Sequence, residues 1–348
     1  MKKVAILYQA HPAPSQDGVI KPMKKGGYSD SGADLAVALK NDYLVITPKD
    51  TPNEQNDLDW VFPDTEQGIQ HALDLGAQVL WLNTVLYRSH PIIKFVGKGL
   101  EVVGQKSDMV DTFDNKWTTN QLLKKHRIPI PKAVMIDKAT MDLNQLEFSF
   151  PVVLKPIRGR GSQGVQVIES ASHLESSLEK MFNAELYGSK VYIEPFLSGN
   201  EITVTVMPPG TYFLKEKTLE YSEPWCLPPI HRYNHKNGIA PYSGEVPVVL
   251  NSRVLTPSEI SSHKIQKVMN HCITAATLLK VTAPIRIDCR ADHNELYYLF
   301  DLNLKPNMTG NIRKERTDQN SLSSIAAAAF GWSYTEFTIN ILEQKWAL

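Results

Sequence analysis

The sequence has no excess of charge of either sign, because its 37 lysines and arginines equal its 37 aspartates and glutamates. It therefore lacks a basic field for nucleic acid or for an anionic membrane, and we expect neither as a partner. No apolar run approaches membrane-spanning length. The short apolar run at the start ends in His-Pro without a small-residue cleavage site, which favours a first β-strand over a signal peptide.

Cysteine is also scarce, and Cys226, Cys272 and Cys289 show no CxxC spacing. Reduced, structural thiols in a cytoplasmic protein are the simplest interpretation. The chain has no internal repeat and no low-complexity tract. Its 348 residues are enough for two or three α/β units with a sizeable core.

The first third alternates short apolar strands with helices, which predicts a parallel sheet with helices on its faces. Asp64 and Gln67 form a candidate capping pair for a helix that runs to residue 75. Trp60 and Trp81 stand among apolar strand residues and are predicted core. The other predicted elements are strands 4–8, 43–47, 60–62 and 79–82 and a helix at 31–40.

The alternation of short apolar strands with helices stops near residue 108. We therefore expect a fold of the α/β class with an α+β C-terminal part. Thr256, Pro257 and Glu259 form a capping box that opens one long helix. Residues 221–245 are interpreted as a polar loop. The remaining predictions are helices 116–125, 174–182, 321–330 and 334–344 and strands 152–155, 165–169, 191–194 and 201–207.

Residues 283–310 predict a β-hairpin that presents oxygen ligands. Alternation along the first arm puts Ile285, Ile287 and Cys289 on one face and Arg286, Asp288 and Arg290 on the other. In the second arm it puts Tyr297, Leu299, Asp301 and Asn303 together. Asp288 can then face Asp301 and Asn303, a set that suits a hard dication which also binds phosphates.

A glycine-rich loop at residues 159–164 reads GxGxxG, which by itself is a weak indication. A strand follows it, whereas a dinucleotide-binding fingerprint needs a helix there, and Lys155 precedes the loop instead of ending it as in a Walker A motif. We interpret it as a flap between antiparallel strands. Lys155 and Arg158 would neutralise phosphate charge and Ser162 would donate a hydrogen bond, although a surface hairpin with solvated charges explains the loop equally well.

These pieces, in this order, resemble an ATP-grasp enzyme of the D-alanine–D-alanine ligase branch. The resemblance implies an N-terminal domain at residues 1–107, a central lid domain with the flap at 108–197 and a catalytic domain at 198–348. It also implies that ATP phosphorylates a carboxylate and that an amine then attacks the acyl phosphate to give an amide. The matching segments are GGYSDSGADLAVAL, FDNKWTTNQLLKKHRIPIP, FPVVLKPIRGRGSQGVQVI, VYIEPFLSGNEITVTVM, IRIDCRADHNELYYLFDLNLKPNMTG and SLSSIAAAAFGWSYTEF.

The same resemblance assigns roles to individual residues, with a magnesium or manganese ion as cofactor. Arg286 would stabilise the oxyanion of the tetrahedral intermediate, and Ser162 would act from the flap. It suggests small-molecule carboxylate and amine substrates and a homodimer. The remaining roles are phosphate contacts for Lys116, Lys155 and Lys236, an adenine seat at Glu194, Pro195, Phe196 and Leu197, a ribose contact for Glu201, and metal ligation by Asp288, Asp301 and Asn303.

Several departures from the family pattern concern the substrate. Where the family has an acid that binds the ammonium group of its first substrate, this chain has Ser31, with Asp30 adjacent. Lys305 is a new positive charge and Asn307 replaces a glycine. Residues 11–26 are an insertion. We expect an unusual substrate whose extra carboxylate pairs with Lys305.

Weaker indications remain open. Tyr87, Arg88 and His90 follow a strand and are candidates for substrate contacts, or they cap a loop. His231 and His235 lack a third zinc ligand nearby. Lys21, Lys24 and Lys25 suggest a solvated basic face.

Three rival functions stay open as well. They are a genuine D-alanine–D-alanine ligase, an ATP-grasp phosphotransferase that needs no amine, and a regulatory protein that binds ATP without turnover. The presence of Arg286 disfavours the last, since binding alone needs no group for an acyl oxyanion.

Overall fold

The five strands that the first third of the chain contributes to the first sheet pair in parallel, as the alternation of strands and helices predicts. The computed structural model describes residues 2–348 except 142, 144–147, 236–237 and 240–246. The central strand β1 pairs with β2, β3 and β4, and β5 pairs with β4. The elements are β1 (Lys3–Tyr8), α1 (Ser29–Leu39), β2 (Leu44–Val45), β3 (Phe62–Pro63), α2 (Glu66–Asp74), β4 (Val79–Asn83) and β5 (Glu101–Val103).

The predicted capping role of Asp64 is wrong. Thr65 is the N-cap of α2, and its side chain accepts a hydrogen bond from the Gly68 N–H. Asp64 instead accepts a hydrogen bond from the Ala10 N–H at 2.9 Å. It is buried, and its carboxylate ties together the segments that leave β1 and β4.

The second sheet is antiparallel and carries one amphipathic helix. Its strand order is β6-β9-β7-β8. The helix α5 packs four large side chains onto the sheet at helical spacing: Leu174, Leu178, Met181 and Phe182. The elements are α3 (Ser107–Phe113), α4 (Lys116–Lys125), β6 (Val134–Asp137), β7 (Val152–Pro156), β8 (Gln166–Ile168), α5 (Ala171–Asn183) and β9 (Lys190–Pro195).

The third sheet is antiparallel and carries the predicted hairpin. Its main order is β15-β14-β10-β16-β17, and β13 pairs with β10. The prediction of an unbroken polar loop at 221–245 is wrong, because β13 and β14 lie within it, and the β11–β12 hairpin was not predicted. The strands are β10 (Glu201–Met207), β11 (Gly210–Leu214), β12 (Lys217–Tyr221), β13 (Trp225–Cys226), β14 (Ile230–Arg232), β15 (Ser252–Val254), β16 (Ile285–Ala291) and β17 (Tyr297–Asn303).

The C-terminal helices cover this sheet. The capping box of Thr256 and Glu259 is present, but it opens only the short α6 (Pro257–Ile260). The long helix α7 (His263–Leu279) starts separately after it. The chain ends with α8 (Leu322–Phe330), α9 (Tyr334–Leu342) and β18 (Trp346–Ala347), which returns to pair with β5 of the first sheet.

Trp60 and Trp81 are buried in the core, as predicted. Among the residues that the structure describes, no helix combines the length and the apolar character needed to cross a bilayer. The predicted α/β fold is confirmed.

Candidate active site

The hairpin of β16 and β17 brings the predicted ligands together through an irregularity that the sequence pattern did not reveal. Asp288 lies opposite Asp301, and Arg286 lies opposite Asn303. The register then shifts, so that Cys289 pairs with Leu299 and Phe300 is an extra, bulged residue. The shift moves Asp301 and Asn303 onto the face of Asp288.

The prediction that Tyr297 and Leu299 share the face of Asp301 is therefore wrong. Both are buried in the core cluster with Ile287 and Cys289. If side chains alternated strictly along β17, Tyr297 and Leu299 would lie on the same face as Asp301. Either the apolar pair would then enter the cleft, or the carboxylate would enter the core. The bulge avoids both costs, since an unpaired buried carboxylate is strongly unfavourable.

A large cleft lies beside this hairpin. It is bounded by strands of the second and third sheets, by the glycine flap, and by Lys24, Tyr28 and Asp30 from the N-terminal part. The sequence-predicted site residues that line it are Lys116, Lys155, Ser162, Glu194, Pro195, Phe196, Leu197, Glu201, Arg286, Asp288, Asp301, Asn303, Lys305 and Asn307.

Lysines hold two of the acidic groups in the cleft. Lys116, at the start of α4, forms an ion pair with Asp301. Burial acts to raise the pKa of Asp301, but the nearby Lys116 outweighs it and the pKa is lowered. The carboxylate is therefore anionic at neutral pH and available to a cation.

Lys155 forms a second ion pair, with Glu194. Its ammonium also lies 5.0 Å from the centroid of the Phe300 ring, so the bulged residue supports it through a cation–π contact. Burial raises the pKa of Glu194 despite this lysine. The Oε2 atom of Glu194 is buried without a hydrogen-bond partner among the described residues, which leaves an acceptor at the cleft wall.

Asp288 is oriented by two donors. The Thr203 hydroxyl donates to Oδ1 at 2.7 Å, and Arg286 Nη2 donates to Oδ2 at 3.0 Å. Asn303 Oδ1 accepts from the Lys305 N–H at 3.1 Å. Two carboxylates and one carboxamide oxygen thus lie on one face at adjacent register positions. This donor set fits Mg²⁺ or Mn²⁺, which prefer oxygen ligands.

The segment after β9 has fewer free backbone groups for hydrogen bonds to a purine than the sequence predicts. The Phe196 N–H already donates to the Pro151 carbonyl oxygen at 3.1 Å. The Phe196 ring lies 4.8 Å from the guanidinium carbon of Arg290. Glu201 Oε2 lies 2.9 Å from His235 Nε2, so His235 contacts an acid of the cleft.

The flap is a turn between β7 and β8, which pair antiparallel as far as Leu154 and Gln166. Ser162 adopts a left-handed backbone conformation with φ of 60°. A Cβ at Gly164, whose φ is +73°, would lie 2.6 Å from the Tyr187 ring, so only glycine fits there.

Arg158 does not point to the phosphate region. It is buried and donates to Asp17 Oδ2 at 2.7 Å and to Gln16 Oε1 at 3.1 Å, within the 11–26 insertion. Lys21 of the insertion pairs with Asp114, and burial lowers the pKa of Lys21 to about 8. The expected solvated face at Lys21 is therefore wrong, and the insertion packs on the second sheet unit.

Four of the predicted substrate contacts lie outside the cleft lining. The Ser31 hydroxyl is fully buried and donates to the Tyr28 carbonyl oxygen at 3.1 Å. His90 is also fully buried and lies 3.2 Å from Asp64. Tyr87 packs edge-on against His90, and the largely exposed Arg88 pairs with Asp111. Lys236 and the following Asn237 lie outside the described residues.

Two arginines that line the cleft, Arg232 and Arg290, have no predicted role in the site. Glu201 of β10 lies between Arg232 of β14 and Arg290 of β16, one on each neighbouring strand. Arg232 is buried, and its Nε atom has no hydrogen-bond partner among the residues described. Arg232 was not identified because residues 221–245 were interpreted as a polar loop. Arg290 was placed on the polar face of the hairpin, but no role in the site was assigned to it.

The chain is similar to known ligases in both sequence and structure. A family model described as the D-ala D-ala ligase C-terminus matches residues 122–343. The D-alanine–D-alanine ligase of Francisella tularensis subsp. novicida is 30% identical over 249 residues, which are 70% of this chain and 72% of that protein. The Francisella philomiragia enzyme of the same name is 29% identical over 251 residues, covering 70% and 73%.

The chain belongs to the D-alanine–D-alanine ligase family. It is thus an ATP-dependent carboxylate–amine ligase of the ATP-grasp type, which forms an amide bond between small molecules.

Solved structures agree with this family at the level of the fold. The D-alanine–D-alanine ligase of Bacillus anthracis complexed with ATP has a TM-score of 0.66 at 17% identity, covering 99% of this ligase and 96% of that chain. The VanG D-Ala:D-Ser ligase of Enterococcus faecalis has a TM-score of 0.70 at 13% identity, covering 99% of both chains.

Proposed function

We propose that the cleft binds ATP with a magnesium or manganese ion held by Asp288, Asp301 and Asn303. The observation that carries this proposal is the register of the hairpin, which sets Asp288 opposite Asp301 and Asn303 opposite Arg286. When bound, the dication would offset negative charge on the transferring phosphoryl group. Lys116 and Lys155 supply further positive charge at the same wall.

The two lysines act by exchanging partners. In the free protein each ammonium is held by a carboxylate of the cleft. Phosphate oxygens would compete for Lys116 once a cation occupies Asp301. The flap, with Ser162 at its tip, would then cover the phosphates and exclude water from the acyl phosphate.

The nucleoside end would lie along Glu194, Pro195, Phe196 and Leu197. The unpaired Oε2 of Glu194 is suited to accept a hydrogen bond from the exocyclic amino group of adenine. Phe196 contributes an apolar face, and Glu201 would accept from ribose hydroxyl groups. Lys236 would contact phosphate from its loop.

Arg286 would act at the acyl centre. Its guanidinium is anchored on Asp288, and burial, which lowers its pKa, is outweighed by that carboxylate, so the pKa of Arg286 is raised. A permanently charged group can stabilise the oxyanion that forms when the amine attacks the acyl phosphate. The attacking nitrogen then loses a proton, and collapse of the intermediate breaks the bond between the acyl carbon and the phosphate oxygen, which releases inorganic phosphate and leaves the amide.

We infer that the ligase joins an amino acid, or a similar amine, to a small carboxylate. We also infer that it acts in the cytoplasm as a homodimer. Its three domains are those expected at residues 1–107, 108–197 and 198–348. A genuine D-alanine–D-alanine ligase is the second candidate, favoured by the names of the relatives. Against it stands the absence of a free acid beside Ser31, since Asp30 is paired with Lys24 and Arg316.

A phosphate-release screen of acids against amines, with ATP and magnesium, tests this function. Release that requires both an acid and an amine supports the ligase proposed here. Release with D-alanine alone supports the second candidate. Release with an acid and no amine indicates a phosphotransferase, and nucleotide binding without any release indicates a regulatory protein.

A further inference from the structure

Lys305 differs from the other lysines of the cleft in its partners. Lys24 pairs with Asp30, Lys116 with Asp301 and Lys155 with Glu194. Lys305 has no acidic partner among the residues that the structure describes. Its Nζ atom donates to Asn83 Oδ1 at 2.9 Å.

The ammonium of Lys305 is held in a fixed place. It lies 3.5 Å from the centroid of the Tyr28 ring, and Lys24 lies 5.3 Å from the same ring. An amide oxygen and an aromatic face orient a cation without neutralising it. The arrangement therefore leaves the Lys305 amino group partly buried and lining the cleft, with no carboxylate to pair with in the described part of the chain. Burial and the nearby Lys24 lower the pKa of Lys305, and a bound carboxylate would stabilise its ammonium form.

Lys305 lies close in the chain to a residue that pairs with Arg286, the group proposed to act at the acyl centre. Lys305 follows Asn303 by two residues, and Asn303 lies opposite Arg286. Arg286 and Lys305 line the same cleft, so one small molecule whose reacting carboxylate lies at Arg286 could place a second anion at Lys305. Asp30, an acid of the cleft lining that acts on Lys305, is already engaged, because Lys24 binds it at 2.8 Å and Arg316 at 3.4 Å.

We propose that the acyl-donor substrate carries a second carboxylate, which pairs with Lys305, so that the donor is a short dicarboxylate or an amino acid with an acidic side chain. This inference rests on the proposed ligase function. It names the chemical class of one substrate.

The test compares matched acids in ADP release at saturating ATP and amine. Succinate, glutarate and glutamate are paired with butyrate, valerate and norvaline, which lack the second carboxylate. The wild-type protein is expected to show a KM about ten- to a hundredfold lower for the diacids, as one charge-assisted contact allows. Lys305→Met should abolish this preference with the KM for ATP unchanged, and Lys305→Arg should retain it.

Lys94→Met is the matched control, because Lys94 is an exposed lysine paired with Glu66 outside the cleft. It should leave the preference intact. Equal KM values for diacids and monoacids in the wild type would overturn the inference, as would a preference that survives in Lys305→Met. A preference that follows the charge of the amine would also overturn it.

Failure of the ligase function gives a different result. In that case no acid–amine pair releases ADP, and calorimetric titration of the diacids against the nucleotide-bound protein decides the inference. Binding that is lost in Lys305→Met and kept in Lys305→Arg supports an anion subsite, and absence of diacid binding rejects it. A melting curve like that of the wild type shows that Lys305→Met is folded, and Lys305→Gln replaces it if it is not.

Discussion

Replacing Asp301 by asparagine removes one negative charge from the proposed ion site with little change in shape. The carboxamide keeps one oxygen donor but loses the charge that attracts a dication. A charge-assisted contact of this kind contributes about 2 kcal/mol, which corresponds to a roughly thirtyfold weaker Kd for the ion. The ion pair with Lys116 is also lost, but both side chains are partly exposed, so the folding cost is about 1 kcal/mol or less.

The assay is a titration of Mn²⁺, followed by electron paramagnetic resonance, with a non-hydrolysable ATP analogue bound. ADP release at fixed magnesium gives the catalytic effect, and a melting curve reports folding. Asp137→Asn is the control, because Asp137 is also a half-buried acid paired with a lysine, Lys190 at 3.7 Å, but lies outside the cleft lining. An Asp301→Asn protein with unchanged ion affinity and unchanged turnover would refute the assignment.

Three further substitutions give distinct expected outcomes. Arg286→Ala should keep nucleotide affinity but lower amide formation at least about a hundredfold, because an oxyanion contact is lost; equal loss of both in binding and turnover assays would contradict that role. Arg232→Met should raise the KM for ATP about tenfold, because Arg232 lines the cleft opposite Glu201, the proposed ribose contact, and its Nε atom has no hydrogen-bond partner among the described residues. An unchanged KM would exclude Arg232 from the nucleotide site. Arg313→Met breaks a buried ion pair with Asp34 at 2.7 Å. It should lower the free energy of unfolding, measured by urea titration, by about 3 kcal/mol. A change below about 1 kcal/mol would mean that the pair does not stabilise the fold.

Local sequence patterns were sufficient for several elements. The helix Lys116–Lys125 and the strand Glu201–Met207 have the predicted bounds. Their ends are set by short-range features, such as the Asn115 side chain that caps the helix. The burial of Trp60 and Trp81 could also be predicted, since apolar neighbours in a strand indicate a core position.

Long-range contacts account for most of the errors. The bulge at Phe300 depends on the partner strand, and no local pattern distinguishes it from regular alternation. Asp64 has the composition of a helix cap, but the Ala10 N–H and His90, distant in sequence, compete for its carboxylate. Arg232 was missed because three-residue strands such as Ile230–Arg232 are stabilised by their neighbours and not by propensity.

The central proposal is that Asp288, Asp301 and Asn303 would hold one divalent ion, which would offset the charge of the ATP phosphates. A crystal structure with Mn²⁺ and a non-hydrolysable ATP analogue tests it most directly, because anomalous scattering locates manganese independently of the phasing. The expected result is a manganese peak within direct coordination distance of all three side chains and of phosphate oxygens. A peak elsewhere in the cleft, with these side chains turned away from it, would contradict the account.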